Sequence, residues 1–309
     1  MGAIGFLFPG QGSQKVGMGK DFYNALLPVR HNFEAAEKAT GLKLMKLCFY
    51  GPQADLDKTA ASQIAMFLVD FAAMEALKFK RLLPQAVFGV GPGLYAALVS
   101  GGALDFATAL TLLTRRTEIM VEAESQGRGL MVQISGLAEA AVEGLLAQSR
   151  DQGPLDISFY LGEQDFMLSG EKKAVVKFLT LAKDQGVKAV PLTFGAGFHS
   201  PLLADGRDRM LELLKPIKIE PLHAQTICPA TGNYFYGAAE VKECLAGEYA
   251  QPVRVRTAVE TMKRDGCFTM VEAGAGTVMG QWVRKIDRGI RALNVEDAKT
   301  LSTAAKLAN

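Results

Sequence analysis

Three short apolar runs in this chain each lead into a glycine-containing turn, and this pattern limits the possible folds more than any other sequence feature. The runs lie at Ile4 to Phe8, Gln85 to Val90 and Phe268 to Glu272. Short apolar runs bounded by glycine are typical of buried strands. Because helical periodicity separates them, as in Phe22 to Ala39 and Ser62 to Phe79, we predict an α/β main domain with a mostly parallel sheet.

The stretch from Gly129 to Phe194 changes character and predicts a separate small domain. Strand and helix patterns follow in the order βαββαβ, at Leu130 to Ile134, Glu139 to Gln148, Leu155 to Tyr160, Phe166 to Ser169, Lys172 to Lys183 and Ala189 to Thr193. Split βαβ units of this kind form a ferredoxin-like fold. We therefore predict a ferredoxin-like small domain at residues 127–196, inserted into a main domain formed by residues 1–126 and 197–309.

Composition predicts a folded protein and argues against two classes of partner. Of the 309 residues, 49% are hydrophobic and 21% are charged, as in ordinary globular proteins. The formal net charge is only +2 and the basic residues are scattered, so we expect no nucleic-acid partner. No apolar run reaches the ~18 residues of a membrane span, and no basic segment precedes the apolar start. We predict a cytoplasmic protein with no membrane partner.

The cysteines predict neither a metal site nor a redox site. Cys48, Cys228, Cys244 and Cys267 form no CxxC pair, and the chain has only three histidines as additional ligands. We interpret the cysteines as small core residues and expect no metal and no cofactor.

The segment Gly89 to Gly93 has the layout of a nucleophile elbow, with a strand before a sharp turn and the helical pattern Leu94 to Val99 after it. An elbow exposes a reactive side chain, and the next backbone N–H holds the developing oxyanion. Here the turn offers Val90, Gly91 and Pro92, which carry no hydroxyl, thiol or imidazole. Taken alone, the turn is either a plain backbone turn or a point where a ligand approaches closely.

Three further features are candidates for a site. His199 follows a predicted strand in a loop where α/β sites form, and is either a base or a packed structural residue. Arg116 either points inward to a carboxylate or shares a solvated helix face with Arg115. The Gly10-Gln11-Gly12 loop is able to present backbone N–H groups to an anion, although it lacks the full nucleotide-binding motifs.

Together these stretches resemble the malonyl-CoA:acyl-carrier-protein transacylases and the acyltransferase domains of fatty-acid and polyketide synthases, over nearly the whole chain. The opening Phe8 to Gln14 is similar to the N-terminal signature of that family. Further similarities lie at Gln63 to Ala65, Arg116 with Met120, Phe198 to Ser200, Pro252-Val253 and Glu272 to Gly276. The resemblance implies an α/β-hydrolase-like main domain with an inserted ferredoxin-like domain.

The resemblance also implies roles for individual residues. In that family a serine in a Gly-His-Ser-Leu-Gly elbow attacks the malonyl thioester, a histidine acts as base and an arginine holds the malonyl carboxylate. These roles fall on His199 as base, on Arg116 as carboxylate ligand and on Gln11 in the oxyanion loop, while Phe198 resembles the malonyl-selecting form. The implied partners are an acyl-carrier protein and malonyl-CoA or a related CoA thioester.

The elbow departs from the family, because Gly91 stands at the serine position and Pro92 follows it. Gly91 has no side chain to acylate and Pro92 has no N–H to donate, so the covalent intermediate and one oxyanion donor are both lost. Losing one such donor typically costs about 10²–10³ in rate. A second departure is Glu248, where the family has glutamine; its carboxylate either disfavours an anionic malonyl group or neutralises Arg116.

Three hypotheses follow from these departures. In the first, the chain is a catalytically impaired relative that still binds an acyl-carrier protein or a CoA thioester. In the second, it is an acyltransferase or thioester hydrolase in which His199 activates a thiol or water directly while Arg116 binds malonate. In the third, Ser13 or Ser200 replaces the missing nucleophile. The sequence leaves the acyl group, the carrier partner and the oligomeric state open.

Overall fold

A computed structural model of the chain describes residues 2–192 and 195–307, and within them the strands form two sheets. A parallel sheet has the strand order β7-β2-β1-β8-β9, and an antiparallel sheet has the order β4-β5-β3-β6. The strands are β1 (Ile4–Phe8), β2 (Ala86–Gly89), β3 (Gly129–Ser135), β4 (Leu155–Tyr160), β5 (Asp165–Glu171), β6 (Lys188–Pro191), β7 (Gln225–Thr226), β8 (Thr269–Ala273) and β9 (Arg291–Val295).

Helices connect the strands of both sheets. They are α1 (Lys20–Ala25), α2 (Leu27–Thr40), α3 (Leu44–Tyr50), α4 (Gln53–Leu56), α5 (Thr59–Phe79), α6 (Pro92–Ser100), α7 (Phe106–Ser125), α8 (Glu139–Ser149), α9 (Lys172–Ala182), α10 (Arg207–Leu214), α11 (Ala238–Gly247), α12 (Val255–Arg264), α13 (Val278–Ile286) and α14 (Ala298–Ala305). The predicted single helix from Phe22 to Ala39 is wrong, because the backbone is extended at Leu26 and a second helix begins at Leu27, with Pro28 in its first turn. Proline suits the first turn of a helix because its missing N–H would have no partner there.

The parallel sheet confirms the α/β prediction. Central strand β1 pairs in parallel with β2 and with β8, and every residue of β1 and β2 is buried. These strands are buried on both faces and are therefore apolar throughout, and this is why their apolar runs predicted them as strands. The edge strands β7 and β9 were not predicted. β7 has two residues, and β9 reads Arg-Ala-Leu-Asn-Val without an uninterrupted apolar run.

The antiparallel sheet has the ferredoxin-like arrangement that the sequence predicted. Numbered within the module, its strand order is 2-3-1-4, and each neighbouring pair is antiparallel. Helices α8 and α9 share a separate apolar core with this sheet, which includes Val132, Leu146, Leu168 and Phe178. The last predicted strand ends earlier than expected, at Pro191; Thr193 and Phe194 lie outside the described residues. The boundaries at residues 127 and 196 stay a prediction.

Helix α5 is long and apolar enough to cross a membrane by length and composition, contrary to the expectation that no segment reaches that length. Of its most apolar 18-residue window, 89% is buried inside the protein. Residues Ile64, Phe67 and Leu68 of α5 belong to the main core, together with strand β1. The apolar character of α5 therefore matches its place in the core.

Candidate functional site

A cavity of about 330 Å³ opens where strands β1 and β2 end, facing the antiparallel sheet. The carboxyl ends of parallel strands are where α/β proteins commonly form sites. The cavity is lined by six residues that the sequence assigned to a site, namely Gln11, Gly91, Pro92, Arg116, Phe198 and His199. These residues come from distant parts of the chain, and the fold brings them together. Their roles remain predictions.

The turn after β2 keeps the shape of a nucleophile elbow. Gly91 has φ 56° and ψ −119° and precedes helix α6, whose first residue is Pro92. Residues with a side chain rarely adopt this backbone conformation. The N–H groups of Gly93 and Leu94 donate to the carbonyl oxygens of Val90 and Gly91, both at 3.0 Å. The turn is therefore tight and hydrogen-bonded, although it presents no reactive side chain.

Glycines hold this elbow against the loop after β1. A Cβ atom at Gly93 would overlap the carbonyl oxygen of Phe8, and one at Gly10 would lie 2.8 Å from the carbonyl oxygen of Val90. A Cβ at Gly91 would meet only the Nη2 atom of Arg116, at the ordinary contact distance of 3.7 Å. Space for a side chain thus remains at Gly91, while Gly10 and Gly93 are required by backbone packing.

Arg116 is fully buried and paired with Glu248, which is 2% exposed. Its Nε and Nη2 atoms donate to the two carboxylate oxygens of Glu248, with Nη2 and Oε2 3.3 Å apart. Burial opposes the charged guanidinium, but the carboxylate outweighs that effect and raises the pKa of Arg116. The alternative of a solvated face holds only for Arg115, which is 54% exposed and pairs with Glu118.

Gln63 links Arg116 to the loop after β1. Its Oε1 atom accepts from Arg116 Nη1 at 2.6 Å, and its Nε2 atom donates to Oε1 of Gln11 at 2.9 Å. Gln11 in turn donates to Oγ1 of Thr59 at 3.3 Å. The side chain of Gln63 is buried, and sequence reasoning gave it no role; the signal was its place in the Gln63 to Ala65 similarity. A chain of hydrogen bonds thus joins Glu248 to Gln11.

His199 is oriented by backbone carbonyl groups. Its Nδ1 atom lies 2.9 Å from the carbonyl oxygen of Glu248 and 3.2 Å from that of Gln251. Because both neighbours are acceptors, Nδ1 carries the proton of the neutral ring and Nε2 is left as the acceptor. Burial lowers the pKa of His199, an effect that the nearby Glu248 carboxylate partly opposes. A neutral, oriented imidazole of this kind is able to take a proton.

The two serines proposed as replacement nucleophiles differ in position. Ser13 lines the cavity, whereas Ser200 is buried and is not among the described lining residues. The Oγ atom of Ser200 donates to the carbonyl oxygen of Gly197 at 2.5 Å and accepts from the N–H of Leu202. Ser200 therefore caps the helical turn Pro201–Gly206.

Apolar side chains that the sequence did not single out complete the cavity. Phe159 packs edge-on against the His199 ring with centroids 5.0 Å apart, and Trp282 lies 6.3 Å from Phe159. Met131 and Met167 of the antiparallel sheet also line the cavity. Alternation along a strand shows that such residues share a face, but not that a cavity lies beside it. Within residues 2–192 and 195–307, no group of three or more His, Cys, Asp or Glu side chains is placed to hold a metal ion.

Comparison with known proteins places this site in a family. The protein-family model described as the acyl transferase domain matches residues 5–307 of this chain. The malonyl CoA-acyl carrier protein transacylase of Bacillus subtilis (strain 168) is 31% identical over 306 residues, which cover 98% of this chain and 96% of that protein. The crystal structure of the Clostridium perfringens malonyl CoA-acyl carrier protein transacylase is similar with a TM-score of 0.93 and 30% identity, over 99% of this chain and 97% of that one. A malonyl-transacylase solved in complex with its type II PKS acyl-carrier protein is similar with a TM-score of 0.93 and 28% identity, over 99% of both chains. This chain therefore belongs to the acyl transferase family that contains the malonyl-CoA:acyl-carrier-protein transacylases.

Proposed function

We propose that this chain is a transacylase-like pseudoenzyme of fatty-acid or polyketide synthesis, which binds a thioester of CoA or of an acyl-carrier protein without becoming acylated. The observation that carries the proposal is the Gly91-Pro92 elbow inside an otherwise formed cavity. Relatives named for malonyl-CoA and acyl-carrier protein, one of them solved with its carrier, support these ligands.

The elbow lacks two chemical groups that ping-pong acyl transfer needs. Gly91 offers no hydroxyl to attack the thioester, and Pro92 offers no N–H to the oxyanion. The cavity nevertheless keeps Gln11, Arg116 and His199 on its walls. Losing a covalent nucleophile removes the acyl-enzyme but not the shape that binds the thioester.

Intact mass spectrometry tests this proposal. The purified protein is incubated with malonyl-CoA and, separately, with acetyl-CoA, and the mass of the protein is recorded. We expect no added acyl group, together with thioester binding measured by calorimetry. A stoichiometric gain of one acyl group, or no binding of any thioester, would contradict the proposal.

A variant that restores the missing groups tests whether the rest of the cavity still supports acylation. Because a Cβ at Gly91 has room, Gly91→Ser with Pro92→Leu returns both the hydroxyl and the backbone N–H. We expect this variant to gain an acyl group from at least one of the thioesters. Gly127→Ser is the matched control, since Gly127 also has positive φ, at 64°, and open space around it. That control is expected to stay unacylated.

A second function is favoured by the state of His199. Within the described residues no partner engages its Nε2 atom, and its ring is neutral. In this alternative Nε2 takes a proton from water, the water oxygen attacks the thioester carbonyl, and the proton passes to the departing thiolate, giving free thiol and carboxylic acid. The test is thioester turnover without an acyl-enzyme. Loss of turnover in His199→Ala supports this function, and unchanged turnover in that variant rejects it.

A further inference from the structure

We infer that the cavity selects a thioester whose acyl group is uncharged, because Glu248 already occupies the guanidinium that a malonyl carboxylate would need. The inference rests on the proposed function, since it assumes that the cavity binds a thioester. It is carried by the contacts of Arg116, by the pairing of every cationic side chain among the described lining residues and by the apolar character of the remaining lining.

The acceptors around Arg116 are supplied by the chain itself. Two nitrogens donate to Glu248, and the third donates to the Oε1 atom of Gln63 at 2.6 Å. An arginine fork binds one carboxylate through two parallel N–H groups. A malonyl carboxylate would have to displace Glu248 or share the guanidinium with it.

Sharing the guanidinium would place two carboxylates beside one cation in a buried site. Arg116 is 0% exposed and Glu248 is 2% exposed, so water does not screen the repulsion between the carboxylates. His199 lies 4.0 Å from Glu248, but burial lowers its pKa and so disfavours the imidazolium as a second positive charge. A buried charge without a partner is strongly unfavourable.

Displacing Glu248 is also opposed, because its backbone is held in place. Glu248 begins a short helical turn, and its carbonyl oxygen is within hydrogen-bond distance of both His199 Nδ1 and the N–H of Gln251. Moving the side chain out of the pair would leave a buried carboxylate without its cation. Moving the backbone would break the contacts that orient His199.

The only other cation among the described lining residues is also paired. Lys285 donates to the Asp165 carboxylate at 3.0 Å and is 53% exposed. Among the described lining residues, both Arg116 and Lys285 therefore already pair with a carboxylate of the chain.

The rest of the lining suits an uncharged acyl chain. Most of the other side chains around the cavity are apolar: Met120, Met131, Phe159, Met167, Leu192, Phe198, Val278, Met279 and Trp282. Thioether and aromatic side chains pack well against flexible alkyl groups. A short saturated acyl group gains contacts here without disturbing the Arg116–Glu248 pair.

Calorimetric titration of the full chain tests the inference with butyryl-CoA, malonyl-CoA and free CoA. We expect butyryl-CoA to bind at least about tenfold more tightly than malonyl-CoA, because bringing like charges together at a buried site weakens binding. In Glu248→Gln the preference is expected to fall or reverse, since the guanidinium becomes available. The control Glu260→Gln removes an exposed carboxylate that pairs with Arg256, and is expected to keep the wild-type preference.

The outcomes separate the two proposals. If malonyl-CoA binds the wild-type protein as tightly as butyryl-CoA or more tightly, the inference is wrong while thioester binding stands. If neither thioester binds, the proposed function fails and the inference fails with it. The wild-type ratio decides the matter even if Glu248→Gln does not fold.

Discussion

Two walls of the cavity are built in different ways. The elbow wall, Gly89 to Gly93, keeps the backbone shape but neither the hydroxyl nor the second N–H that the chemistry needs. The polar wall is formed by Arg116 and His199, and Glu248 lies behind it: its carboxylate pairs with Arg116 and its backbone carbonyl oxygen contacts His199. The difference shows that the shape of this turn and the reactive groups of the cavity depend on different residues.

The reason lies in what each wall must satisfy to fold. At the elbow, Gly93 packs backbone against backbone with Phe8, and this contact involves no side chain at position 91. In the polar wall a buried charge requires a partner, so a single carboxylate at Glu248 changes what Arg116 is able to bind. Backbone packing thus shapes one wall, whereas charge pairing shapes the other.

The largest expected effect comes from breaking the pair in the polar wall. Arg116→Met leaves Glu248 buried without a cation and is expected to lower the free energy of unfolding by about 3–5 kcal/mol. Arg115→Met, next to it on the exposed helix face, is expected to cost no more than about 1 kcal/mol. Urea unfolding measures both. Equal losses in the two variants would show that burial of the pair is not what matters.

Backbone packing at the elbow is tested by alanine at two neighbouring glycines. Gly93→Ala forces a Cβ against the carbonyl oxygen of Phe8 and is expected to cost about 3 kcal/mol, the upper part of the usual range for overpacking. Gly91→Ala meets only open space and Arg116, so its expected cost is the strain of the sparsely populated backbone conformation at φ 56° and ψ −119°, about 1–3 kcal/mol. Thermal and urea unfolding compare them. A larger loss for Gly91→Ala would mean that conformation, not packing, holds the elbow.

A smaller effect is expected from the pH dependence of stability. Because burial lowers the pKa of His199 below its ordinary 6.5, the unfolded chain binds more protons than the folded one between those two values. Stability therefore falls as the pH drops below about 6.5, and His199→Gln removes this contribution. The wild-type protein should lose stability relative to the variant between pH 8 and pH 5.

The control for this measurement is His31→Gln, which removes an exposed histidine. Glu272, whose pKa burial raises to about 7, acts in the opposite direction: its ionisation costs stability as the pH rises. Glu272 is present in both proteins, so its effect cancels in the difference. A difference that does not change with pH would contradict the lowered pKa of His199.

Much of the fold was predictable because buried strands carry a direct sequence signal. Ile4 to Phe8 and Leu155 to Tyr160 were predicted with the bounds that the structure has. The break at Leu26 was missed because helical periodicity continues across it. Edge strand β9 was missed because half-exposed residues leave no apolar run.

The sequence by itself determined the α/β scaffold, the ferredoxin-like module and the absence of a reactive side chain at Gly91, because these depend on local patterns and on the residue types present. Only the tertiary structure showed which group pairs with Arg116. Its partner Glu248 is 132 residues away along the chain, and their pairing depends on how helix α7 and the turn after α11 pack together. Local sequence defines which groups exist, whereas long-range packing determines which of them are left free to bind.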